Sequence, residues 1–232
     1  MNSLGDQYKA LVIGSSGAIG SAFVSELKND VNCRLVVSLS RNTIPGFSLE
    51  NEESINQAAN ILLAEAPFQL IIDATGALTI DGNGPEKQLI ALNPNYLSRS
   101  FQINTIGPAL LIKHFLPLMD TTNRAIYAKL SARVGSISDN NKGGWYSYRS
   151  SKAALNMILQ TAAIESARTR PNLVFSALQP GTVASKLSAK FVSPEHCLSA
   201  DISVQGLIKS LDGLMPKNGA YFIDYQGHNI EW

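Results

Sequence analysis

Tyr148 and Lys152 stand four residues apart in Ser147-Tyr148-Arg149-Ser150-Ser151-Lys152-Ala153-Ala154-Leu155. At helical spacing that places a phenol and an ammonium side by side on one face. A tyrosine with an unperturbed pKa near ~10 is a poor acid at neutral pH, but a cation within a few ångström favours the phenolate and draws that pKa toward the working range. The pair is therefore expected to make Tyr148 a general acid or base, with Lys152 depressing its pKa.

Two further segments bear on what that acid could serve. Tyr8-Lys9-Ala10-Leu11-Val12-Ile13 is an apolar run that ends in Gly14-Ser15-Ser16-Gly17-Ala18-Ile19-Gly20 and leads into the helical pattern Ser21-Ala22-Phe23-Val24-Ser25-Glu26-Leu27. A strand that turns tightly into a helix offers backbone N–H groups and a positive dipole end, which suits a pyrophosphate, and glycines let the ligand approach the backbone. The apolar segment Leu173-Val174-Phe175-Ser176-Ala177 opens through Leu178-Gln179 into Pro180-Gly181, and ligands of open α/β sheets bind at such strand ends. Along the chain the order is glycine turn, Asn104 in a helical stretch, Tyr148 and Lys152, then Pro180-Gly181.

With these residues in this order, the chain resembles the short-chain dehydrogenase/reductase family and, within it, the C-factor-like subgroup, from about Lys9 to Tyr225. The resemblance is carried by the glycine turn, by Asp73-Ala74-Thr75-Gly76 in place of the family's Asn-Asn-Ala-Gly, by Asn104-Thr105-Ile106-Gly107, by Tyr148 with Lys152 and by Pro180-Gly181. It implies a Rossmann-like α/β fold in one domain over residues 1–232, a nicotinamide cofactor, and oxidation or reduction at a carbonyl/alcohol carbon of a small molecule. It also implies a cofactor site built from Gly14, Ser15, Ser16, Gly17, Ile19, Gly20, Ala74, Thr75, Gly76, Tyr148, Lys152, Pro180, Gly181, Val183 and Ser185. By the same resemblance Lys152 hydrogen-bonds the nicotinamide ribose, Val183 and Ser185 hold the carboxamide, and Asn104 holds a water that supplies protons to Lys152. No substrate is implied.

Three positions depart from the family. Ala18 stands where the middle glycine of Gly-x-x-x-Gly-x-Gly belongs, with Gly17 before it, so the pyrophosphate turn is expected to differ slightly and still bind. Ala132 stands where relatives carry the serine, three residues before Gly135, that orients the carbonyl oxygen. Ser131 is one residue off, and alternation along a strand turns it away unless the strand has already ended. Ser131 is taken as the replacement, with Ser136 and Ser138 as loop alternatives, and with lost turnover as the outcome if none serves. Finally, Cys33-Arg34-Leu35-Val36-Val37-Ser38-Leu39 is followed by Ser40-Arg41-Asn42 without an acidic residue. An acid there would bind the ribose 2′-hydroxyl of NAD(H), whereas an Arg accommodates a 2′-phosphate, so NADP(H) is favoured, with Arg41 against the phosphate.

The elements that must position these residues follow from the apolar pattern. Strands are expected near 8–14, 33–39, 68–74, 125–131, 172–178 and 220–224, alternating with helices near 17–29, 52–65, 96–118, 147–169 and 199–212. Such alternation predicts right-handed βαβ crossovers and a doubly wound parallel sheet covered on both faces. Gly46-Phe47-Ser48-Leu49 is a candidate further strand, and because no helix fits before it, that side of the sheet is expected to be abbreviated. The substrate is expected between residues 132–145 and the loop from Ser185 to about Pro194, with Trp145 and Leu187 as an apolar wall and the loop as a lid.

The chain has 232 residues, 45% of them hydrophobic, and a formal net charge of +1. That can bury a substantial core, and it argues against nucleic acid or anionic membranes as partners. The N-terminus lacks a charged segment followed by an apolar core, so the protein is expected in the cytoplasm. Cys33 and Cys197 form no Cys-x-x-Cys pair and no metal cluster is apparent; His114, His196 and His228 are given no catalytic role. Helices 96–118 and 147–169 are apolar on more than one face, which predicts a homodimer or homotetramer. The alternative to an enzyme is a cofactor-binding regulatory or cell-signalling protein with little turnover, motivated by Ala132.

Overall fold

The apolar run after Gln7 forms strand β1, Tyr8–Ile13, buried at every position except the half-buried Lys9. Such a strand must be covered on both faces, and among the described residues five more parallel strands and six α-helices complete the arrangement. The computed structural model describes residues 1–185 and 192–232. The strands are β2 (Cys33–Leu39), β3 (Leu70–Asp73), β4 (Ala125–Leu130), β5 (Leu173–Gln179) and β6 (Tyr221–Asp224), in the spatial order β2-β1-β3-β4-β5-β6. The helices are α1 (Ala18–Asn29), α2 (Glu52–Leu62), α3 (Pro94–Phe101), α4 (Gly107–Phe115), α5 (Tyr146–Ser166) and α6 (Ala200–Asp212).

Alternation along each strand sorts the core into two layers. Leu11, Ile13, Ile71, Tyr127 and Phe175 pack with residues of α2, α4 and α5 on one face. Val12, Leu70, Ile72, Ile126 and Ala128 pack with Phe23, Leu27, Val204 and Leu207 of α1 and α6 on the other. Because all neighbours are parallel, the C-terminal ends of the strands share one edge, with Ile13 opposite Asp73 and Asp73 opposite Lys129. The strand order reverses between β1 and β3, and that crevice is where open α/β sheets take their ligands. No helix among the described residues is long and apolar enough to cross a membrane.

Two expectations from the sequence need correction. Gly46-Phe47-Ser48-Leu49 is not a strand: Phe47 drops its ring into the core while the backbone runs irregularly. This leaves β2 as the edge, so the sheet is abbreviated on that side. The expected helix 96–118 is present but is not α-helical throughout. A π turn, Gln102–Ile106, separates α3 from α4 and contains Asn104. The physical reason is Gly107-Pro108. Proline has no N–H to donate back along a helix, and a Cβ at Gly107 would lie 2.7 Å from the Leu49 carbonyl oxygen. The helix therefore shifts its register by a π turn at this point.

Candidate active site

Gly14 ends β1 with φ +81°, and its N–H donates to the Leu39 carbonyl at 2.8 Å. A Cβ there would sit 3.0 Å from the Ala74 carbonyl carbon, so the backbones after β1 and β3 touch. Gly20 is tighter still, since a Cβ would fall 2.2 Å from the Gly14 oxygen. Only glycine lets the first turn of α1 rest on the turn before it. Gly17 is the N-cap of α1, and Ala18, its first residue, points to solvent. The alanine in place of the family's middle glycine thus costs the turn nothing.

Ser15 spends its amide on the Leu39 carbonyl at 3.3 Å, whereas the Ser16 amide has no partner among the described residues. Together with the free N–H groups of the first turn of α1, where Ile19 lies half-buried, it forms a donor cradle fit for a phosphate. Arg41 is exposed just past β2, at the same edge, and makes no hydrogen bond or ion pair among the described residues. Ser40, where an acid would sit, is buried and accepts from the Asn42 amide. These features fit a dinucleotide with a 2′-phosphate.

The strap after β3 closes the other side of the crevice. Thr75 donates both its amide (2.9 Å) and its hydroxyl (2.6 Å) to Asp73 Oδ1. Lys129 Nζ reaches the same carboxylate oxygen at 2.9 Å and donates to the Thr75 carbonyl at 2.6 Å. Lys129 and Asp73 are both fully buried, an ion pair that the sequence reading missed. Its signal was a lysine within the otherwise apolar strand β4, since a buried ammonium requires a partner.

Asn104 accepts from the Ala77 amide and donates to the Ala77 carbonyl, both at 2.9 Å. Its side chain therefore clasps the strap. At Gly76, φ +142°, a Cβ would lie 3.2 Å from Asn104 Oδ1 and 3.3 Å from Lys152 Nζ. Strap, Asn104 and Lys152 thus converge on one point.

Tyr148 and Lys152 share the face of α5 turned to this point. Lys152 Nζ lies 5.7 Å from the Tyr148 ring centroid and donates to the Leu130 carbonyl at 3.2 Å. Trp145 stands edge-on to the Tyr148 ring at 6.2 Å between centroids. Gly135 lets the turn after β4 press on α5, as a Cβ there would lie 2.8 Å from Lys152 Cβ. The electrostatics run opposite to the expectation from spacing. Burial pushes the Tyr148 phenol well above its ordinary range. The same burial, reinforced by the charge of Lys129 and opposed by Asp73, lowers Lys152 to about 7. Desolvation outweighs the neighbouring cation.

The serine assignment also needs correction. Ser131 is buried and donates its hydroxyl to Asn156 Oδ1 at 2.6 Å, one turn beyond Lys152 on α5. Its one-residue offset turns it into the protein, so it is a structural tie and not the missing donor. Ser136 is buried and accepts from the Asp139 amide at 3.1 Å, and Ser138 donates to the Trp232 carbonyl at 2.9 Å. Ala132 itself is extended and half-buried.

Past β5, Pro180 accepts from the Ser203 hydroxyl at 2.6 Å. Gly181, φ +77°, lets the chain turn beneath Leu198, whose Cδ1 would be 2.7 Å from an added Cβ. Val183 is buried and bridges to Leu198, and Ser185 follows at half exposure. Leu187 and the rest of residues 186–191, which make up most of the expected lid running to about Pro194, lie outside the described residues.

Residues 8–196 match the family described as short chain dehydrogenase. Among characterised relatives, the C-signal of Myxococcus xanthus is 35% identical over 137 residues, which are 59% of this chain and 78% of that protein. The 1-hydroxy-2-glutathionyl-2-methyl-3-butene dehydrogenase of Rhodococcus sp. (strain AD45) is 29% identical over 189 residues, 81% of this chain and 79% of the relative. In fold, the chain superposes with a TM-score of 0.84 on the NADPH-bound carbonyl reductase from chicken fatty liver, at 23% identity, covering 100% of this chain and 97% of that one. Glycine cradle, parallel sheet and matched sequence lead to one conclusion: the chain belongs to the short chain dehydrogenase family, with C-factor-like relatives, and is an NAD(P)-dependent oxidoreductase.

Proposed function

We propose that this oxidoreductase is an NADP-preferring carbonyl reductase of one domain, in which Tyr148 protonates the carbonyl oxygen of a small-molecule substrate. The observation that carries the reading is the buried convergence of Tyr148, Lys152, Gly76 and Asn104 at the sheet edge beside the glycine cradle. Burial keeps the phenol in its protonated form at neutral pH, the form that reduction uses, but makes it a weaker acid, so the proton passes only as negative charge develops on the carbonyl oxygen; alcohol oxidation would first require the phenolate. When bound, the nicotinamide cofactor supplies the hydride. Gly14, Ser15, Ser16, Gly17, Ile19 and Gly20 would hold its pyrophosphate, and Arg41 its 2′-phosphate. Ala74, Thr75 and Gly76 would flank the adenosine side. Lys152 would bind the nicotinamide ribose, with Pro180, Gly181, Val183 and Ser185 around the nicotinamide. Lys152 also relays a proton toward Tyr148.

The solvent-exposed guanidinium of Arg41 supports the cofactor preference. NADPH is expected to bind more tightly than NADH, and Arg41→Ala to remove about 1–2 kcal/mol of that preference, the worth of a charge-assisted contact at an exposed site. Titration by quenching of Trp145 and Trp232 fluorescence measures both; equal affinities in the unmodified protein would overturn the assignment.

The missing serine supplies the direct test of function. NADPH oxidation across a panel of activated carbonyls is expected to show turnover in the unmodified protein. Ala132→Ser should raise the rate about tenfold by restoring a donor to the developing oxyanion, each tenfold being ~1.4 kcal/mol of barrier. Ser131→Ala should instead lower stability by about 1–3 kcal/mol through the orphaned Asn156, with little change in rate per folded molecule. NADPH binding without turnover in all three proteins would favour the regulatory or signalling reading, which Ala132 and the likeness to C-signal motivate.

Assembly as a homodimer or homotetramer is supported by apolar side chains on the outer faces of the π turn and α5, where Ile106 is 44%, Met157 67% and Ile164 37% exposed. An isologous interface through α4 and α5 would cover them. Light scattering is expected to give at least twice the monomer mass of 25.0 kDa; a stable monomer at micromolar concentration would exclude it.

A further inference from the structure

Helix α5 begins without a cap of its own. Its N-cap, Trp145, is left-handed at φ +52° and makes no side-chain capping bond, so the first amides of the helix that carries Tyr148 must find acceptors elsewhere. They find them in Glu86, on the segment joining β3 to α3. Glu86 Oε2 accepts from the Ser147 amide at 3.1 Å, Oε1 accepts a short hydrogen bond from the Ser147 hydroxyl, and the Glu86 carbonyl accepts from the Trp145 amide at 2.6 Å. Glu86 is 8% exposed and Ser147 is fully buried. A carboxylate at this end of a helix is also favoured by the helix dipole.

The contact continues inward. The Ser147 carbonyl accepts from Ser100 Oγ at 3.2 Å, and Ser100 Oγ accepts from Asn104 Nδ2 at 3.4 Å. Asn104 clasps Ala77, so the segment is tied at Ala77 by Asn104 and at Glu86 by Ser147. Next to Glu86, the Lys87 carbonyl packs 3.4 Å from where a Cβ of Gly144 would be.

We propose that Glu86 is a positioning residue for the reduction: by capping α5 at Ser147 it fixes the backbone from which Tyr148 reaches the carbonyl oxygen. The inference rests on Tyr148 being the acid, as argued above. Glu86 touches neither substrate nor cofactor in this role; it acts through Ser147. Misplacing a reacting group by about 1 Å can cost ~10²-fold in rate, whereas the glycine cradle of residues 14–20, which would carry the pyrophosphate, lies on other elements and should not feel the change.

The test compares Glu86→Ala, Glu86→Gln and Glu86→Asp in the full chain, reading kcat and KM for an activated diketone, the NADPH Kd by fluorescence, and hydrogen exchange of peptides spanning residues 145–150. Glu86→Ala and the shorter Glu86→Asp are expected to lower kcat by about ten- to a hundredfold. NADPH Kd should change less than about twofold and exchange in 145–150 should quicken. Glu86→Gln, which still offers an oxygen to the Ser147 amide, is expected to recover most of kcat and of the protection. Unchanged kcat in Glu86→Ala, or loss of kcat and NADPH affinity together without rescue by Gln, would overturn the proposal. Should Glu86→Ala fail to fold, the contrast between Asp and Gln decides it. Absence of turnover in the unmodified protein would instead sink the reductase reading, and unchanged exchange in Glu86→Asp would still refute the tether.

Discussion

Tyr148→Phe is expected to lower kcat for carbonyl reduction by about 10³-fold or more, toward the upper end of what a single general acid contributes. The substitution removes one hydroxyl and keeps the ring, which packs against Trp145 and beneath Lys152. The hydroxyl has no hydrogen-bond partner among the described residues, so its removal orphans no buried group and stability should hold. NADPH affinity should also be nearly unchanged, because the phenol serves proton transfer and the cradle around Gly14 and Gly20 carries the cofactor. Steady-state kinetics beside a fluorescence titration separates the two effects. Retention of most of the activity by Tyr148→Phe would rule out Tyr148 as the acid.

Lys152→Ala should damage both functions, lowering kcat by about 10²-fold and weakening NADPH by about tenfold, as expected when one side chain both relays a proton and binds the ribose. Lys152 is 2% exposed, its Nζ donates to the Leu130 carbonyl, and it lies beside Gly76 and Asn104. Its titration adds a signature. Burial, then the charge of Lys129, brings it down to about 7, so it gives up its proton as pH rises through neutrality. The kcat/KM for reduction should fall as pH rises through about 7 in the unmodified protein, and that limb should be missing in Lys152→Ala. No limb from Tyr148 should intervene at neutral pH, since burial holds its phenol protonated. A flat profile between pH 6 and 8 would refute the relay.

Residues 8–20, 73–76, 148–152 and 180–181 were legible in the sequence because each is a local device. Gly14 and Gly20 announce a strand-to-helix turn by type and spacing, and the structure adds only the reason, a Cβ of Gly20 falling on the Gly14 oxygen. Tyr148 and Lys152 share a helix face by periodicity alone, and the six strands follow from runs of apolar residues. The Gly107-Pro108 break was also written locally, and its consequence for Asn104 could have been read there.

Other features depended on what lies across space. Neighbours four apart said that Lys152 should lower the Tyr148 pKa; the fold buries both, and desolvation raises the phenol and lowers the ammonium. Alternation left Ser131 undecided, and Asn156 on another element decided it by taking its hydroxyl. Lys129 needed a partner that only the register of β3 against β4 supplies, in Asp73. Glu86 meets Ser147 across 61 positions of sequence. A sequence pattern reports spacing along the chain, while burial, pKa and the choice of hydrogen-bond partner depend on groups brought together by packing, so these belong to the tertiary structure alone.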